Sequence, residues 1–242
     1  MNQVCQGNAE IYAVEPGHWK LTIDADAHSY TNAQLDDYHL LPRTAYPWRA
    51  PLRLSLQARI SGDCRGTYGF GLWNAPYSPL ASAFPALPAT AWFFGNGSGD
   101  VGWGVDSTPT GFKAATLETR RWQVLLMTPF APILYAFLHV PILYKRLWPY
   151  LSRLLRLHEQ MLPVDAEWHA YVLEWQWDVV IWFVDGVEVC RAPFAPTGRL
   201  GLCIWVDNQW LVAGPRRGVG WGLVPSQTTL EVRELKMIKY EL

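Results

Sequence analysis

The stretch "PLRLSLQARISG" sets Leu52, Leu54, Leu56 and Ala58 against Arg53, Ser55, Gln57 and Arg59. Strict alternation with a period of two puts every apolar side chain on one face of an extended strand, which no helix does. Further short runs follow, bounded by Gly, Asn, Asp or Pro. "GTYGFGLWNAP" predicts a strand that forms a hairpin with the first across "SGDCRG". "ATAWFFGNG" and "DVGWGVDST" predict two more, joined by a Gly/Asn turn. Beyond residue 163, strands are predicted around Tyr171 to Trp175 and Val179 to Val184, with a turn at Asp185-Gly186 leading into "VEVCRA". "GRLGLCIWVDNQW" and "TLEVRELKMIKYEL" supply two others. Many short strands between turns, with no strand–helix alternation and no internal repeat, predict an all-β sandwich of antiparallel sheets, one domain over residues 1–242.

Composition narrows the function classes. Half of the residues are hydrophobic and only 17% charged, so the chain can bury a large core. A net charge of -1 argues against nucleic acid as a partner, which calls for a basic surface. The four cysteines show no metal spacing and are expected as reduced, buried thiols. "MNQVCQGNAEIYAVEPGHW" has neither a basic n-region nor an apolar h-region, so a cytoplasmic location is expected. The six histidines are dispersed without an HxxxH pair. The glycine-rich "GNGSGDVGWG" lacks the Lys-Ser/Thr of a phosphate loop, and no G-x-S-x-G elbow occurs. No metal or cofactor is expected.

"EWHAYVLEWQWDVVIWFVDGVEV" resembles the strand pair W-H-x-Y-x-x-E-W…I-x-W-[YF]-V-D-G of family-16 glycoside hydrolases and related concanavalin A-like jelly rolls. Trp168, His169, Tyr171, Glu174, Trp175, Ile181, Trp182, Phe183, Val184, Asp185 and Gly186 carry the match. "PLRLSLQARISGDCRGTYGFGLW" also resembles an early segment of that fold, so the likeness covers roughly residues 50 to 120 and 163 to 242. The resemblance implies a jelly roll with a concave cleft. In the hydrolases an E-x-D-x-x-E strand supplies nucleophile and acid/base to that cleft. The stretch standing there, Leu87 to Gly97, contains no Asp or Glu. The likeness therefore extends to the scaffold and stops short of the hydrolytic chemistry.

An aromatic cleft remains. Trp73 lies opposite in pleat to Tyr68, Phe70 and Leu72, while Trp92 and Phe94 share a face that excludes Phe93. The candidate ligand-binding residues are Trp73, Trp92, Phe94, Trp103, Asp106, Asp207, Asn208 and Trp210. Asp207-Asn208 reads equally as a ligand-binding pair or a turn cap. With apolar residues at the acid positions, the expectation is a hydrophobic or amphipathic small molecule, bound or isomerised without hydrolysis. The rival expectations are a carbohydrate-binding module and a hydrolase with relocated acids.

Residues 122–162 have no counterpart in the family pattern and read as an inserted helical segment. Val124 to Tyr144 is nearly all apolar, close to the roughly 20 residues of a bilayer span. Pro129, Pro132 and Pro141 interrupt it, and both ends must rejoin one sandwich. A helix is predicted from about Pro149 to Gln160, with Arg153, Arg156 and Gln160 on one face and leucines on the other. Trp148, Tyr150, Arg153 and Arg156 thus predict a lid over the cleft or a dock on a membrane surface, and the apolar surplus also allows a homodimer contact.

Overall fold

The computed structural model describes residues 1–78, 84–97, 111–138, 140–163, 165–214 and 218–240. Two antiparallel sheets of seven strands each face one another. The first sheet runs, edge to edge, through β1 (Asn2–Gln6), β4 (Asn32–Asp36), β13 (Gly201–Asp207), β6 (Thr67–Trp73), β7 (Ala89–Asn96), β8 (Gly111–Glu118) and β9 (Leu157–Leu162). The second runs through β12 (Val187–Ala192), β11 (Val180–Val184), β10 (His169–Trp175), β5 (Leu52–Gly62), β16 (Ser226–Lys239), β3 (His18–Ala25) and β2 (Ala9–Glu15). A separate ribbon pairs β14 (Gln209–Gly214) with β15 (Gly218–Leu223).

The period-two reading of β5 is seen residue by residue. Leu52, Leu54, Leu56, Ala58 and Ile60 are buried, and the residues between them are half-buried. Its predicted hairpin with β6 is not formed. β5 pairs with β10 and β16, whereas β6 belongs to the opposite sheet, so the intervening segment crosses the sandwich. The predicted Asp185-Gly186 turn does close the β11–β12 hairpin, with φ of 50° and 79°. Positive φ at both positions gives the twist that a two-residue hairpin requires.

Inward-facing rings from both sheets fill the core. Phe70, Phe93 and Phe112 of the first sheet meet Tyr171 of the second at centroid distances of 5.0 to 5.9 Å. Trp175 and Trp182 are fully buried there, each with its indole N–H satisfied. All four cysteines are free; Cys190 and Cys203 are buried as expected, but Cys5 is exposed.

Between β8 and β9 lie three helices, α1 (Trp122–Met127), α2 (Ala131–Leu138) and α3 (Pro141–Leu155), with a 3₁₀ turn at Thr128–Phe130. The interruptions fall where the prolines fall. The last helix begins at Pro141 rather than Pro149, which lies inside it, and ends before Arg156 in the left-handed region at φ 46°. Gln160 belongs to β9, so it shares no helical face with Arg153.

Candidate functional site

The outer faces of the two sheets differ in kind. That of the second is polar, laced by Arg53–Glu174 at 2.8 Å and Arg59–Glu231 at 2.6 Å. The outer face of the first is aromatic. Strand register sets its rows: Trp73 beside Thr90, then Asp36, Cys203, Gly71, Trp92, Ala115 and Glu159, then Gln34, Trp205, Gly69, Phe94, Lys113 and Met161. An apolar face turned away from the main core is the natural candidate for a site.

Two glycines shape that face. Trp92 and Trp205 stand on strands either side of β6, roughly 10 Å apart by strand spacing. Their rings nevertheless meet at 5.5 Å, because Gly69 and Gly71 leave the intervening strand bare. Phe94 stacks on Trp92 at 5.2 Å, and Trp73 lies 6.2 Å from Trp92 at an angle of 36°. Tyr38 and Tyr46 fold in from the loop after β4, and the Trp73 indole donates to the Tyr38 hydroxyl at 2.5 Å. Burial raises the Tyr38 phenol far above its usual range, so it is neutral here. Phe94 and Trp205 are each 8% exposed, while Trp73 and Trp92 are only partly buried. A sealed aromatic floor thus carries two tryptophans that retain some exposure.

Polar groups border it. Lys113, almost wholly buried, pairs with Glu159 at 3.3 Å. Asp36 takes hydrogen bonds from the Asn2 and Gln34 amides and from the backbone of Tyr38 and His39. Asp207 closes the far end of the face. It accepts from the Thr67 backbone and hydroxyl, from the Gln209 N–H and from the Tyr30 hydroxyl. Burial pushes its pKa up to about 6.

That shift has a measurable consequence. In the unfolded chain Asp207 ionises near pH 4, and in the fold near 6, so the fold binds the extra proton in between. Stability contributed by this group is present below pH 4, falls as pH rises from about 4 to 6, and is flat above. Asp207→Asn keeps the acceptor toward Thr67 and Gln209 and sets an amide against the Tyr30 oxygen. The variant is expected to lose roughly 3 kcal/mol of that decline, read by urea denaturation from pH 4 to 7. A decline of equal size in both proteins would refute the assignment.

Geometry also weighs against relocated hydrolytic acids. Asp36 and Glu159 share a row but are separated by five strand spacings, roughly 24 Å. Asp207 lies four residues along β13 from the partner of Asp36, roughly 14 Å away. Hydrolytic carboxylates sit about 5 to 9.5 Å apart. Among the described residues, these three acids of the face form no such pair.

Of the residues singled out in the sequence, Trp73, Trp92 and Phe94 come together, and Asp207 lies on the same face. Trp103 and Asp106 lie outside the described residues. Asn208 has its side chain committed: its oxygen accepts from Thr31 N, and its amide donates to the carbonyls of Asp26 and Ser29. It holds the turn before β4. Trp210 stands on the β14–β15 ribbon, paired with Gly222. Sequence reasoning missed Tyr38 and Tyr46, which come from an irregular loop, and the Lys113–Glu159 pair. A lysine alternating with Phe112 and Ala114 in "GFKAATLE" was the available signal for the latter.

No family model and no curated protein matches the sequence. Solved structures do match in fold. A sialidase aligns with 99% of this chain at a TM-score of 0.50 and 10% identity, and the chain spans 17% of that protein. An endo-β-1,4-glucuronan lyase from the fungus Trichoderma reesei aligns over 99% of this chain and 90% of its own, at 0.49 and 11%. The carbohydrate recognition domain of Emp47p aligns over 99% and 89%, at 0.48 and 7%. The fold is a concanavalin A-like jelly roll. At such identities the likeness is one of fold, and function is argued from the site.

Proposed function

We propose that this jelly roll binds a carbohydrate chain on the aromatic outer face of its first sheet and does not hydrolyse it. The observation that carries the reading is the pair of partly buried indoles, Trp73 and Trp92, which lie side by side and keep some exposure where the rings around them are sealed. A flat ring offers its apolar face to the C–H side of a sugar, while neighbouring polar groups take hydroxyls. Gln34, only partly buried in the row of Trp205 and Phe94, stands in that role, while the buried Lys113–Glu159 pair braces the face. Asp207 and Asn208 are engaged inside the fold and serve to hold the end of the face.

A purely apolar ligand fits less well. Phe94, Trp205, Tyr38 and Tyr46 already bury their rings against one another, which leaves little apolar area to desolvate. Isomerisation of such a ligand loses its main support with that area.

Titration of the protein with a panel of neutral and acidic oligosaccharides, followed by tryptophan fluorescence and calorimetry, tests the proposal. One glycan class is expected to bind saturably, and Trp92→Ala to weaken it by about 10- to 30-fold, the loss typical of a central aromatic contact. A panel with no binder, or Trp92→Ala binding as wild type does, would remove it.

A further inference from the structure

We propose that the three-helix insertion docks on the surface of an anionic lipid bilayer. Its outer side is apolar to an unusual degree. Trp122, Leu125, Leu126, Phe130, Ile133 and Ile142 are each more than half exposed. Of the twenty-one large hydrophobic side chains exposed among the described residues, nine fall within residues 122–150. Scattered exposed leucines are ordinary, but a concentration of this kind marks a contact surface.

Charge says what it contacts. Residues 119–158 hold six Lys and Arg and no Asp or Glu, in a chain with 20 basic and 21 acidic residues. On α3 the exposed residues are Ile142, Lys145, Arg146, Pro149, Tyr150 and Arg153, which recur at i, i+3, i+4, i+7, i+8 and i+11 along a single face. The opposite face is already used. Tyr144 and Trp148 are 2% and 5% exposed, with rings 5.9 Å apart, and the cap residue Arg156 lies over Phe194. The helix is therefore held to its own domain by one face and presents cations, a tyrosine and an isoleucine on the other. Basic side chains flanking exposed apolar and aromatic ones match a headgroup layer above acyl chains.

Topology sets the mode. Leu117 and Leu157 are register partners on β8 and β9, so the insertion leaves and rejoins the sheet at adjacent points. Among the described residues, no helix is long and apolar enough to cross a bilayer. The helices lie along the surface rather than through it. A second copy of the chain is the poorer occupant, since a two-fold contact through this face would set Lys145, Arg146 and Arg153 against their own copies with no acid from α3 between them.

Co-sedimentation of the full chain with phosphatidylcholine vesicles, with and without phosphatidylserine, tests this. Binding is expected with phosphatidylserine, to weaken as salt is raised, and to fall at least about tenfold in Lys145→Glu/Arg153→Glu. Leu126→Ser/Phe130→Ser is expected to reduce it as well, and circular dichroism of both variants checks that the sandwich is intact. Absence of binding at low salt would overturn the proposal. So would undiminished binding by the charge-reversed variant, or self-association that Leu126→Ser abolishes in a protein indifferent to vesicles. The glycan titrations are read independently of these outcomes, since neither double variant alters a residue of the aromatic face.

Discussion

Trp182→Ala is expected to remove about 4 kcal/mol of stability, enough to leave little of the fold intact at physiological temperature. The side chain is fully buried between the sheets. Its indole N–H crosses the sandwich to the backbone carbonyl of Trp92 at 3.2 Å, so a residue of one sheet fixes a strand of the other. Truncation leaves a cavity of most of an indole and takes away that donor. Trp182→Phe separates the two effects. It refills most of the volume and leaves the donor missing, and is expected to cost about 1 to 2 kcal/mol. Because the lost bond holds β7, the Phe variant is also expected to weaken the near-ultraviolet circular dichroism of the coupled Trp92 and Trp205 indoles. Urea denaturation followed by circular dichroism measures both values. A Trp182→Ala loss under about 2 kcal/mol would show that the core relaxes around the gap, and that the bond across it contributes little.

Face assignment was legible in the sequence and sheet partnership was not. Leu52 to Ile60 alternate in the structure as they do in the sequence, because a pleat admits only one arrangement of side chains. The same logic placed Trp92 and Phe94 together, away from Phe93. Alternation says nothing about which strand lies alongside. "SGDCRG" has the composition of a tight turn, yet it carries the chain from one sheet to the other. The start of α3 was misread for a related reason. Pro141 and Pro149 both suit a first helical turn, and the helix takes the earlier, with Val140 as its N-cap and Pro149 inside it. Lys113 left a local trace in its alternation with Phe112 and Ala114, but its pairing with Glu159 left none, since the entire insertion separates the two in sequence. Asn208 shows the opposite case. Its two readings, ligand contact or turn cap, were both chemically sound, and three hydrogen bonds to Asp26, Ser29 and Thr31 decide for the turn.

The aromatic floor depends on the absence of side chains on β6, which makes Gly71 a sensitive position. A Cβ there would lie 2.5 Å from both Cα and Cβ of Trp92 and 2.6 Å from the Ala91 carbonyl oxygen. These are backbone and near-backbone atoms of the adjoining strand, so no rotamer change relieves the contact. β7 must move off β6, loosening ladder hydrogen bonds of about 1 kcal/mol each and parting Trp92 from Trp205. Gly71→Ala is expected to cost about 3 kcal/mol, and Gly71→Val to prevent folding. Gly186 supplies the control. Its φ of 79° strains any side chain, but nothing lies within 4 Å of an added Cβ. Gly186→Ala should therefore cost only the 1 to 2 kcal/mol or so of a left-handed residue. Near-ultraviolet circular dichroism distinguishes the two, because only the Gly71 variant should lose the signal of the coupled indoles. If Gly71→Ala proves no worse than Gly186→Ala, the strands can part without penalty, and the rings over β6 are a movable layer rather than a fixed floor.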